Sequence, residues 1–125
     1  SALLAILNNE PERDHFLDIL ASDDQPMVSA VTLYETMLVA GIRRGPDNVE
    51  DLTELLQAAE ARVMPFDEAR ARAALAAYLR YGKGIHAAAR LNLCDCAAYA
   101  LAQELAAPLL FKGEDFRATD VVAAV

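Results

Sequence analysis

Two carboxylates stand alone where charge is scarce. Residues 25–42 carry one charged side chain, Glu35, and residues 91–103 carry one, Asp95. Both stretches are dense in apolar residues, so both acids are expected in largely buried segments. An ionised carboxylate taken from water without a partner is costly, so each must be paired or ligate a metal. A third acid, Asp115, follows the apolar run 109–111. That run reads as a strand, and open α/β sheets place their ligands beyond the C-terminal ends of strands. Asp120 is a weaker fourth candidate. Acids gathered over one sheet edge repel one another, and the usual remedy is a hard divalent cation with oxygen ligands, Mg²⁺ or Mn²⁺. A cation so held can orient a phosphodiester, activate water and stabilise a leaving oxygen.

Each acid also has a plainer reading. Glu35 could pair with a base such as Arg43. Asp95 could cap the helix running through Tyr99 and Leu101. Asp115 could serve the turn chemistry of the charged segment 112–117, and Asp120 could be a cap or an edge residue. Spacing alone leaves these alternatives open.

Other constellations are poorer. Cys94 and Cys96 lack a second cysteine pair, and His15 and His86 show no ligand spacing, which argues against zinc. On a helix the two cysteines point to different sides, which favours packing. The chain has no glycine-rich phosphate loop and no serine with a histidine and an aspartate placed around it. Tyr34, Tyr78, Tyr81 and Tyr99 read as core or rim residues.

The elements that must position the acids follow from apolar periodicity. A short helix is expected over 1–7, and a second with Pro11 in its first turn. A buried strand is expected at 27–29, a helix over 31–42, and another opening at Pro46. A strand is expected at 63–66, then a helix capped by Asp67 and broken at Gly82-Lys83-Gly84. A helix over 94–107, a strand at 108–111 and a last short strand at 120–122 complete the reading. Strands alternating with helices imply an α/β fold, a short parallel sheet flanked by helices on both faces. One domain spanning 1–125 suits the length.

Composition narrows the classes. With 55% hydrophobic and 24% charged residues, the chain can build a core and is not disordered. No apolar run approaches the ~20 residues that cross a bilayer, and two cysteines are no disulfide framework; the expectation is a cytoplasmic protein without membrane contact. A net charge of −8 works against bulk attraction to nucleic acid. Yet residues 62–90 hold six of the eleven basic side chains against two acids. Arg70, Arg72, Arg80 and Lys83 are the candidates there for holding a nucleic-acid backbone, with a solvated helix face as the alternative.

Four blocks together resemble a known family. Ser1-Ala-Leu-Leu-Ala-Ile, Ser29-Ala-Val-Thr-Leu-Tyr-Glu35, Leu91-Asn-Leu-Cys-Asp95-Cys-Ala-Ala-Tyr99 and Pro108-Leu-Leu-Phe-Lys-Gly-Glu-Asp115-Phe-Arg-Ala-Thr-Asp120 are similar to PIN-domain proteins, and most of all to the VapC-type toxins of bacterial toxin–antitoxin pairs. The resemblance implies an Mg²⁺- or Mn²⁺-dependent endoribonuclease that leaves 5′-phosphate products. It implies that Glu35, Asp95 and Asp115 bind metal, with Asp120 as a helper, and that Ser1 and Thr32 lie beside them. It further implies a homodimer and a cognate antitoxin that silences the enzyme. Two departures stand out. The family opens with an apolar strand whose terminal aspartate lies two residues before the position of Ser1, so both are expected upstream of it. Cys94 stands where relatives commonly carry Gly. The competing reading is an inactive PIN-like interaction module; a receiver-like domain fits less well, because the threonine and lysine of phosphoryl transfer are not in place.

Overall fold

The computed structural model describes residues 1–124. The elements run α1 (Ala2–Leu7), α2 (Arg13–Ser22), β1 (Met27–Ser29), α3 (Ala30–Arg44), α4 (Pro46–Ala58), β2 (Arg62–Met64), α5 (Glu68–Tyr81), α6 (Leu93–Leu105) and a closing 3₁₀ turn, Phe116–Ala118. Local chemistry sets most of the ends. The Ser29 hydroxyl accepts from the Val31 N–H at 3.2 Å and starts α3 directly off β1. Gly45, at φ 80°, turns the chain from α3 into α4, and Pro46 occupies the first turn of α4. The Asp67 carboxylate accepts from the Arg70 N–H at 2.9 Å to start α5, as its position before the apolar periodicity suggests.

Pro11 lies outside α2 rather than in its first turn, since α2 begins at Arg13 with Glu12 as its cap. The Arg13 N–H is already engaged by the Glu10 carbonyl at 2.9 Å, so a tight turn holding Pro11 precedes the helix.

The sheet is parallel, with Met27 opposite Arg62, Val28 opposite Val63 and Ser29 opposite Met64. α3 and α6 both pack against β1. β2 ends at Met64, short of the expected 63–66, because Pro65 cannot donate to a ladder. The expected strands at 108–111 and 120–122 do not form among the described residues. A single parallel bridge joins Leu109 to Ala123 instead, through Leu109 N–H to the Val122 carbonyl (2.8 Å) and Ala124 N–H to the Leu109 carbonyl (2.9 Å). A strand exists only through its partner, and residues 109–111 line a cleft that β1 also lines without joining its sheet.

The larger core lies between α5 and α6. Ala74, Ala77, Tyr81, Leu91, Cys96 and Tyr99 are buried together there under Phe116. Alanine at these positions lets the two helices approach closely, because interaxial distance follows side-chain size. A second cluster, Ala2, Ala5, Ile6 and Phe16, fastens α1 to α2. Leu52 and Leu91 are fully enclosed, each contributing roughly 1.5–3 kcal/mol by burial.

Candidate active site

Three elements converge on one cleft of about 780 Å³ lined by Ser1, Thr32, Glu35, Cys94, Asp95 and Asp115 among others. α3 presents Thr32 and Glu35, three residues apart and so on one helical face. α6 presents Cys94 and Asp95 from its first turn. The segment entering the closing 3₁₀ turn presents Asp115. The structure thus brings Glu35, Asp95, Asp115, Ser1 and Thr32 to a single cavity.

Asp95 has a built position. Asn92 and Asp95 form a reciprocal capping box: Asn92 Oδ1 accepts from the Asp95 N–H at 2.8 Å, and Asp95 Oδ2 accepts from the Asn92 N–H at 3.1 Å. The cap residue is therefore Asn92, and Asp95 sits three residues in, where the helix dipole favours an anion. Only one of its two oxygens is spent on the cap. Its carboxyl is raised above the usual aspartate range, first by burial, against the pull of the Asn92 backbone N–H, and then by the charges of Glu35 and Asp115. That mutual repulsion links three acids from distant parts of the chain.

The plainer readings of the other two acids do not describe what is seen. Among the described residues neither Glu35 nor Asp115 enters an ion pair with a basic side chain, Arg43 included. Asp115 makes no side-chain capping bond to the turn it precedes. The segment leading to it is anchored by Lys112, whose Nζ lies 3.1 Å from both Glu10 and Glu12 in the turn between α1 and α2.

Cys94 is half-buried beside Glu35, and Cys96 is buried on the other side of the helix. Burial first, then the Glu35 charge, pushes the Cys94 thiol up to about 11. The thiol is therefore held protonated near neutrality, which makes it a poor nucleophile.

The donor set of the cleft suits a hard cation: carboxylate oxygens, hydroxyls and a protonated thiol, with no imidazole. Among the described residues no three acidic, histidine or cysteine side chains converge tightly enough to cage an ion by themselves. Glu35, Asp95 and Asp115 share the cavity, and Asp95 feels the charge of the other two, without the three closing a ligand shell.

Three residues expected at the site lie elsewhere. Asp120 does not line the cleft. Its Oδ1 accepts from the Tyr99 hydroxyl and from Gln103 Nε2 at 2.9 Å, and its Oδ2 pairs with Arg80 at 3.3 Å. The Tyr99 hydrogen bond foremost holds this carboxyl below the usual range, and so engaged a carboxylate has little left for a metal. Arg72 pairs with Glu68 one turn back along α5, at 3.0 Å and largely in solvent, so its charge is partly spent. Lys83 lines a separate hollow with His86 and Arg90. Conversely, Asn92 borders the cleft and was not singled out from the sequence, although an Asn three residues before an acid at the head of an apolar helix is a capping-box signal.

A PIN-domain family profile matches residues 1–122. The chain is 43% identical over 123 residues to a protein named Ribonuclease VapC from Mycolicibacterium smegmatis, covering 98% of this chain and 95% of that one. It is 41% identical over 125 residues to Ribonuclease VapC28 of Mycobacterium tuberculosis, covering 100% of this chain and 94% of the relative. Ribonuclease VapC30 of the same species is 40% identical over 121 residues, with 97% and 92% covered. With a matching profile over nearly its whole length and relatives of this similarity, the chain belongs to the PIN-domain family, beside the proteins named VapC ribonucleases.

Proposed function

We propose that this protein is a divalent-metal-dependent endoribonuclease, the toxin of a toxin–antitoxin pair, acting in the cytoplasm. The observation that carries the reading is the meeting of Glu35, Asp95 and Asp115 in one cleft, in a chain whose similar relatives are named ribonucleases. These three carboxylates would hold Mg²⁺ or Mn²⁺. When bound, the ion supplies Lewis-acid activation of water and neutralises charge on a phosphodiester. The protein's own share is positional. The capping box fixes Asp95 at the head of α6, the rigid turn of α3 between Thr32 and Glu35 sets their spacing, and the Lys112 clamp holds the segment before Asp115. Ser1 and Thr32 also line the cleft and would offer hydroxyl donors to a phosphate oxygen.

The exposed apolar residues Tyr34, Leu38 and Ile42 recur every fourth residue along α3, and we assign that stripe to contact with a second copy in a homodimer. A cognate antitoxin and an RNA substrate are the remaining partners. None of the described helices is long and apolar enough to cross a membrane.

The test is cleavage of a labelled RNA by antitoxin-free protein, with Mg²⁺, with Mn²⁺ and with chelator, beside Asp95→Asn. Metal-dependent cutting lost in Asp95→Asn is the expected result. Equal activity in both proteins would remove Asp95 from the site. Absence of cutting by a folded parent on several RNAs would favour the interaction module.

A further inference from the structure

The basic side chains of residues 62–90 are not equivalent. Arg70 is locked by a bidentate bond to Glu104 (3.1 and 2.8 Å) and by the Pro65 carbonyl at 2.7 Å. Arg72 pairs with Glu68, and Arg80 with Asp120. Lys83 and Arg90 form no ion pair among the described residues, and both are exposed. They flank one surface hollow of about 540 Å³, with His86 and Gly84 between them.

Backbone bonds hold this loop rigid while its charges stay free. Lys83 N–H donates to the Leu91 carbonyl (2.9 Å) and Leu91 N–H to the Tyr81 carbonyl (3.0 Å), closing the base of the loop. The Ile85 and His86 N–H groups both donate to the Gly82 carbonyl, at 2.9 and 3.0 Å. The Tyr78 hydroxyl donates to the Lys83 carbonyl at 2.9 Å. His86 Nδ1 accepts from the Ala88 and Ala89 N–H groups at 3.1 and 2.9 Å. Nδ1 being the acceptor, the ring proton resides on Nε2, and the neutral imidazole remains a donor. Two free cations and one N–H donor on a preformed backbone form a site for an anion, with little ordering left to do on binding.

The loop also leads straight into the cleft. Arg90 stands two residues before Asn92, at most about 7 Å along the chain, and Asn92 borders the cavity of Glu35, Asp95 and Asp115. On a protein of net charge −8, an unpaired basic hollow beside an acidic cleft is where a polyanion can approach. We propose that the loop of Lys83, His86 and Arg90 is a subsite for backbone phosphates of single-stranded RNA flanking the position cut in the cleft. This rests on the ribonuclease reading and adds to it where the strand is gripped.

The test separates binding from cutting. Affinity for a fluorescein-labelled single-stranded RNA is read by anisotropy in EDTA at several salt concentrations, for the parent, Lys83→Ala with Arg90→Ala, Lys83→Arg, and Arg13→Ala as a charge control on α2. The double variant is expected to bind about tenfold more weakly, with a log K against log salt slope flatter by about 1.4, or ~0.7 per lost phosphate contact. Arg13→Ala is expected to match the parent, Lys83→Arg is expected to keep the parental salt slope because it keeps the charge, and RNA cleavage by the double variant should show a raised KM. Circular dichroism confirms folding, which these exposed side chains should not disturb. If the parent cuts RNA while the double variant keeps parental affinity and slope, the subsite is wrong and the ribonuclease reading stands. If the parent neither binds nor cuts RNA, the ribonuclease reading falls and the subsite with it.

Discussion

Asn92 and Asp95 hold each other by two reciprocal hydrogen bonds across the first turn of α6, at 2.8 and 3.1 Å. One acid thereby serves the helix with one oxygen and faces the cleft with the rest of its carboxylate. A structural and a functional reading of Asp95 are not alternatives, because the cap is what aims the side chain. Asn92→Ala should therefore cost about 1 kcal/mol of stability and, on the ribonuclease reading, slow RNA cleavage as well. Asn92→Ser should restore most of the stability. Thermal denaturation and cleavage rates of the two variants check this.

The Asp120 carboxylate, held by Tyr99, Gln103 and Arg80, links the tail to α5 and α6. Its folded-state pKa is depressed, chiefly by the Tyr99 hydroxyl. The stability it contributes is therefore fully present above the ordinary aspartate value of about 3.9 and is lost as pH falls through the lower folded value. Tyr99→Phe removes the main cause. It should cost about 1 kcal/mol near neutral pH, because the carboxylate is partly solvated, and the gap to the parent should narrow under acid. Urea titrations from pH 7 downward would show the narrowing; a gap that widens would contradict the assignment.

Gly82 closes α5 under Tyr78. A Cβ there would lie 2.5 Å from the Tyr78 carbonyl oxygen and 2.5 Å from its Cδ1, and the backbone oxygen cannot swing away. Gly82→Ala is expected to destabilise by about 1–3 kcal/mol through overpacking and to loosen the loop of Lys83 and Arg90. Amide exchange across residues 82–91 should rise in the variant, whereas Gly84→Ala, with open space around its Cβ position, should act only through its positive φ.

Ile42 is 76% exposed and Tyr34 64% exposed on α3, a large outlay of apolar surface to water for a monomer. On the homodimer reading, Ile42→Glu should shift the protein from dimer to monomer in sedimentation equilibrium while leaving its circular dichroism intact. A parent that already sediments as a monomer would refute the assignment of this stripe.

Glu35 and Asp95 were legible from the sequence as candidates because charge is rare in their segments and burial makes charge expensive, and the structure brings both to one cleft. The cap at Asp67, the break at Gly82 and the helical order were legible too, since helix ends are set by side chains within three residues of the backbone they serve. Pairing is different in kind. Residues 108–111 have the composition of a strand, but a strand is defined by a neighbour supplied from elsewhere in the chain, and here only the Leu109–Ala123 bridge forms. The fate of charged side chains is non-local for the same reason. Asp120 and Asp115 look alike in the sequence, yet one is consumed by Tyr99, Gln103 and Arg80, and the other is left to the cleft. Arg80 and Lys83 look alike as bases, yet the tail brings Asp120 beside the first, and the loop leaves the second free. Residue types and their local spacing determined which groups could do chemistry; only the tertiary packing, by bringing partners tens of residues away within hydrogen-bond reach, decided which groups were left to do it.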